Sequence, residues 1–179
     1  DYFHHEITKK IAKTTFDVGY SNESGVRELV DNAGDLMGEI ELDQERQSMN
    51  VFLRELVQQQ PKATYGEAMI RQALEGGAVS TLLISESLRK NIVDLECQSC
   101  QNTWSATLNR NQTLPACPSC KAKDDAIKEV ASKSLIDHLS ELALASRSEV
   151  VFISIDTEEG AQLMNGFGGL AAVLRYPIM

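Results

Sequence analysis

Four cysteines are the residues whose types and spacing most directly imply chemistry. They form two CxxC pairs, Cys97-Gln98-Ser99-Cys100 and Cys117-Pro118-Ser119-Cys120, with sixteen residues between the pairs. Each CxxC folds as a tight knuckle that aims two sulfurs at one point, so two knuckles supply four thiolates for a tetrahedral Zn2+. Four sulfurs fill the coordination sphere and leave no position for water or substrate, so the expected zinc is structural rather than catalytic. Disulfides or free thiols are the alternatives, and a redox role fits least, because redox chemistry uses a single CxxC next to a thioredoxin-like pattern.

Around these pairs the composition shifts to Cys, Gln, Asn, Thr, Ser and Pro, which marks residues 94–123 as a small inserted zinc-ribbon minidomain. So few apolar residues cannot form a core of their own, and metal binding must supply much of the folding free energy. Trp104 and Leu108 are the residues expected to pack the ribbon.

The flanking segments must hold this insertion. Tyr2 to Lys13 places Phe3, Ile7 and Ile11 at helical spacing, and Thr15 to Tyr20 is a short strand candidate. Ser21 to Gly25 supplies capping residues for a helix through Val26, Leu29, Val30 and Leu36, and a second long helix is expected from Asp43 to Gln59. After Pro61, Tyr65-Gly66-Glu67 opens a helix with Met69, Ile70, Ala73 and Leu74 on its apolar face. Val79 to Ser85 is an apolar run of strand length. Beyond the insertion, Ile127, Val130, Leu135, Leu139 and Leu142 predict a helix to about Ser146. Strand at Glu149 to Ile155, helix at Thr157 to Asn165 and strand at Leu170 to Tyr176 follow. This alternation predicts an α/β fold with a mostly parallel, helix-covered sheet.

The bulk properties exclude several function classes. With 179 residues, 42% of them hydrophobic and 24% charged, the chain is an ordinary globular length and composition. A net charge of -9 and a pI near 4.8 disfavour a broad phosphate-binding face and direct DNA binding, and favour protein partners. The longest apolar runs fall far short of the roughly 20 residues that span a bilayer. The opening Asp1-Tyr2-Phe3-His4-His5 lacks the basic-then-apolar pattern of a secretory signal. Its helix-like start without Met suggests an excised piece of a longer polypeptide, with a processed chain as the alternative.

The remaining motifs carry less. Gly166-Phe167-Gly168-Gly169-Leu170-Ala171 satisfies the GxGxxA dinucleotide pattern, but it follows a predicted helix and precedes a predicted strand, the reverse of the required order. A glycine-rich turn is the better reading, with Phe167 either a buried anchor or an exposed partner-binding residue. His4-His5-Glu6 lacks the second zincin histidine, since position 9 is Lys9. Asp156, Glu158 and Glu159 sit where a helix N-terminus attracts acids. His138 stands alone on a predicted helix and the cysteines are committed to metal, so no nucleophile arrangement remains and the chain is not expected to be an enzyme.

Several stretches together resemble the archaeal and eukaryotic class I peptide chain release factors: DVGYSNESGVRELV, QERQSMNVFLREL, YGEAMIRQALEGGAVSTLLISESL and TEEGAQLMNGFGGLAAVLRY. The Pelota ribosome-rescue proteins are similar too. The resemblance implies a C-terminal domain over residues 21–179 that binds a translational GTPase of the elongation factor 1 alpha type. It also implies a remnant of the middle domain over residues 1–20, and action in the cytoplasm on the ribosome through the full-length factor. The Gly-Gly-Gln loop by which that family promotes peptidyl-tRNA hydrolysis is not in this sequence. The insertion resembles the family's minidomain, whose zinc ligands are kept in archaeal members, so Cys97, Cys100, Cys117 and Cys120 point to the archaeal type. The resemblance places Phe167, with Gly166 and Gly168, at the GTPase-facing surface, and Leu42 and Phe52 as further contacts. A Pelota-like module whose ribbon contacts the ribosome is the competing expectation.

Overall fold

The structure is a computed structural model that describes residues 16–19 and 21–178. The helix expected over Tyr2 to Lys13, the His4-His5-Glu6 motif and nearly all of the expected middle-domain remnant lie outside the described residues. Of the strand expected at Thr15 to Tyr20, residues 16–19 are described and form none.

The chain divides into two compact units, the first ending at Gln44 and the second running from Glu45 to Met179. One helix, α1 (Glu23–Leu56), runs through both, where the sequence predicted two. Gly38 falls between the expected pair, and glycine inside a helix costs about 1 kcal/mol without ending it. Asn22 caps α1: its side-chain oxygen accepts from the backbone N–H groups of Ser24 and Gly25 at 3.1 and 3.2 Å.

The second unit contains β1 (Ala63–Tyr65), α2 (Glu67–Glu75), β2 (Val79–Ser85), β3 (Lys90–Cys97), β4 (Thr103–Asn109), β5 (Ile127–Ser134), α3 (Leu135–Ala145), β6 (Glu149–Ile153), α4 (Glu158–Phe167) and β7 (Leu170–Leu174). The larger sheet has the order β1-β7-β2-β6. Strand β2 is buried on both faces, which explains its continuous apolar run. Leu82 and Ile84 face a core with Ile70 and Leu74 of α2 and Leu135 and Leu139 of α3. Leu83 faces the opposite core with Met49 and Phe52 of α1 and Leu163 of α4.

The expected mostly parallel sheet is corrected: only β2 and β6 run parallel, and β7 is antiparallel to both β1 and β2. The register shows why. Helix α3 returns the chain to Glu149, beside Thr81 at the start of β2, so β6 runs with β2. Helix α4 instead leaves from Ile153, beside Ser85, and delivers the chain to Leu170, beside Ile84 at the same end of the sheet, so β7 must run back. A helix between two strands implies a parallel pair only when it carries the chain back along the strand length.

The smaller sheet, β4-β3-β5, is wholly antiparallel and spans residues 90–134, wider than the compositional shift at 94–123. Ile127 to Ser134, expected as the first part of a helix, is strand β5. Val130 mimicked helical spacing yet is 61% exposed, so its position reports no buried helix face. Helix α3 starts where Ser134 caps it, its hydroxyl accepting from the N–H of Asp137 at 3.4 Å.

Candidate metal centre and candidate docking face

The two CxxC segments fold as near-copies. Cys97 C=O accepts from Gln101 N–H at 2.7 Å, and Cys117 C=O from Lys121 N–H at 3.0 Å. Cys97 N–H donates to Asn102 at 2.9 Å and Cys117 N–H to Ala122 at 2.9 Å. Each knuckle closes on a left-handed residue, Gln101 at φ 57° and Lys121 at φ 65°. The first knuckle ends β3 and leads into β4; the second sits in the long β4–β5 connection that folds back over it.

All four sulfurs lie within 4.8 Å of one another. Cys97 Sγ is 3.5 Å from Cys120 Sγ, and Cys100 Sγ is 3.6 Å from Cys117 Sγ. A tetrahedron with metal–sulfur bonds of about 2.3 Å has sulfur–sulfur edges of about 3.8 Å, whereas a disulfide needs about 2.05 Å. The spacing therefore fits four ligands around one metal ion and no disulfide. Cys97 and Cys117 are fully buried, with Val93, Leu95, Leu108 and Ile127 forming a small core around them. Leu108 and Trp104 pack there as the sequence predicted.

The thiols differ in charge preference. Burial pushes Cys97 and Cys117 up, but the backbone N–H groups of Cys100 and Ser99, and of Cys120 and Ser119, together with neighbouring thiols, outweigh it. Cys97 ends below the ordinary value and Cys117 falls to about 6. Cys100 is pulled down by the Asn102 N–H, yet burial and the three neighbouring thiols push it up to about 12. Four thiols crowded together cannot all ionise unless a cation joins them, and a divalent metal is the group that would resolve the conflict.

A second candidate site lies in the core sheet at the α4–β7 turn. Gly168, at φ 71°, is the left-handed cap of α4, and Gly169, at φ 82°, follows it. Phe167, the last residue of α4, is half-buried. Its ring packs edge-on against Phe52, 5.0 Å away, and against Tyr65, 5.3 Å away. Gly166 and Gly168 are exposed beside it. Phe52 is fully buried, so it supports this cluster from beneath and has no surface to offer a partner, which corrects its expected role as a contact. Leu42, in the first unit, is 38% exposed. Tyr65, expected only to open a helix, is 50% exposed and completes the aromatic cluster; its separation from Phe167 along the chain hides it from a local pattern.

The other motifs resolve as structural. The GxGxxA run joins helix α4 to strand β7, the reverse of a dinucleotide turn. Thr157 caps α4, its hydroxyl accepting from Gly160 N–H at 3.0 Å, and Glu159 meets Arg46 at 3.6 Å.

Comparison with known proteins follows the same lines. The family model described as eRF1 domain 3 matches residues 42–178. Peptide chain release factor subunit 1 of Methanocaldococcus jannaschii is 40% identical over 99% of this chain and 44% of its own length. Its counterpart from Archaeoglobus fulgidus is 40% identical over 98% of this chain and 42% of its own length, so the chain spans less than half of these relatives. The solved C-terminal domain of peptide chain release factor from Methanosarcina mazei superposes with a TM-score of 0.72 at 38% identity, covering 88% of this chain and 98% of that one. The archaeal Pelota in a model of ribosome-bound Pelota and ABCE1 shares the fold at a TM-score of 0.55 and 19% identity, over 93% of this chain and 36% of its own. The family model and these relatives agree: the chain belongs to the eRF1 domain 3 family.

Proposed function

We propose that this chain is the C-terminal part of an archaeal-type class I release factor and acts in translation termination as the docking module for an elongation factor 1 alpha type GTPase. The observation that carries the reading is the 38% identity to a release-factor C-terminal domain across 98% of that structure. The half-buried Phe167, held on Phe52 beside exposed Tyr65, supports the α4–β7 turn as the contact: an aromatic anchored from below loses little side-chain entropy on binding.

In this reading residues 1–20 belong to the middle domain and 21–179 to the C-terminal domain, with the metal-binding minidomain inserted over 90–134. Zn2+ is its metal, held by Cys97, Cys100, Cys117 and Cys120 in a closed shell that stabilises the fold. The module contributes no catalytic group, since neither Gly76-Gly77 nor Gly168-Gly169 is followed by glutamine. The factor works in the cytoplasm on the ribosome; no helix among the described residues is long and apolar enough to cross a membrane. The likeness to Pelota extends to the fold, and the higher identity favours the release-factor reading over the rescue-factor one.

Native mass spectrometry of the chain mixed with the GTPase and GTP tests the proposal. One zinc per chain and a one-to-one complex are expected, with the complex lost in Phe167→Ala. Zinc without a complex would overturn the docking role. Ribosome binding that depends on the ribbon and not on Phe167 would favour the rescue-factor reading.

A further inference from the structure

Strand β4 is an edge of the smaller sheet, paired with β3 on one side only. The register determines which of its backbone groups face outward. Cys97 N–H donates to Asn102, and Arg110 N–H donates to Arg89, at the two ends of the β3–β4 pairing. Antiparallel pairs alternate between bonded and unbonded, so Leu95 with Trp104 and Val93 with Ala106 are bonded pairs in the same series. Ser105 and Thr107 therefore direct their N–H and C=O groups away from β3.

Ser105 and Thr107 also line a groove of about 440 Å³ between the smaller sheet and α2, beside this edge, with Ile92 among its apolar lining and Glu67, Arg71 and Glu75 along the helix. Glu67 to Glu75 covers about 12 Å of helix axis, the length of about four strand residues. The groove's charges are not all available. Glu67 accepts from Arg71 at 2.7 Å and from the Thr107 hydroxyl at 2.5 Å, so these groups satisfy one another. Glu75 is exposed and has no partner among the described residues, which leaves one net negative charge.

We propose that this groove takes an extended segment of another protein, added as a strand to β4, with a Lys or Arg side chain over Glu75. Outward main-chain groups of Ser105 and Thr107 form the ladder, α2 walls the added strand on one face, and Glu75 selects the basic side chain. A nucleic acid fits worse, because two carboxylates against one guanidinium repel phosphate. The inference stands apart from the GTPase-docking proposal, which uses the α4–β7 turn.

The test is a titration of the isotope-labelled zinc-loaded chain, followed by amide NMR. The probes are a capped peptide of alternating Val and Thr with one central Lys, its Glu counterpart, and a version N-methylated at alternate backbone amides. The Lys peptide should shift the Ser105 and Thr107 amides, and the N-methylated one should not bind. Glu75→Lys should weaken the Lys peptide at least about fivefold and reverse the preference toward the Glu peptide. Ser105→Pro removes an N–H that faces away from β3, and should abolish binding with the β3 amides unmoved. Equal binding of the N-methylated peptide, or no shift at Ser105 and Thr107, would overturn the proposal. So would shifts produced by an oligouridine in place of the peptides, or by raising the chain's own concentration.

Discussion

Phe52 and Phe167 touch, yet they answer to different forces. Phe52 is wholly inside the core, so Phe52→Ala should cost about 3–5 kcal/mol, read as a lower urea midpoint. Phe167 keeps part of its ring in solvent; its replacement by Ala should cost less stability and weaken GTPase binding by roughly tenfold or more, measured by calorimetry. Gly160 is a third residue whose role only packing explains. A Cβ there would lie 1.8 Å from the Ser154 carbonyl oxygen, so Gly160→Ala must push the start of α4 off β6. A loss of about 1–3 kcal/mol or more, seen as a lower Tm, is expected. The candidate metal ligands were legible at this scale because a knuckle is local: two cysteines three positions apart need little else to converge. The aromatic cluster was not, because Phe52, Tyr65 and Phe167 are brought together by three different elements.

Elements were legible where one face alone is buried, or where both are. Strand β2 and helices α2 and α4 lie within about two residues of their expected bounds, since their apolar spacing reflects the burial they achieve. Strands β3, β4 and β5 were not anticipated as strands; for β5 the reason is plain, because six of its eight residues are exposed and so carry no period-two signal. The elements are also tied at their ends. The Arg175 guanidinium donates to the carbonyls of Gly77, Ser146 and Arg147 at 2.9, 3.1 and 2.9 Å, just beyond the C-termini of α2 and α3. A cation there satisfies orphan carbonyls and the negative ends of two helix dipoles. Arg175→Ala should cost about 1–3 kcal/mol, and Arg175→Lys should recover part of it, both measured by thermal melting.

At the scale of the second unit, the two cores on either face of the large sheet are built from long stretches of aliphatic packing, whereas the small sheet has one slight core that includes two of the cysteines themselves. Metal removal should therefore act unevenly. With chelator, or in Cys117→Ser, amide exchange in β3, β4 and β5 should accelerate strongly while β2 and β7 stay protected; equal loss in both sheets would contradict this division. Lower pH should ease metal release in the same way, because protons compete for the thiolates. The sequence by itself determined the candidate metal-ligand set and most helices, since both depend on residues near one another along the chain. Sheet direction, the extent of the small sheet and the company kept by Phe167 were decided by tertiary structure alone. They depend on which end of β2 each connection returns to, and no local pattern of residues records that.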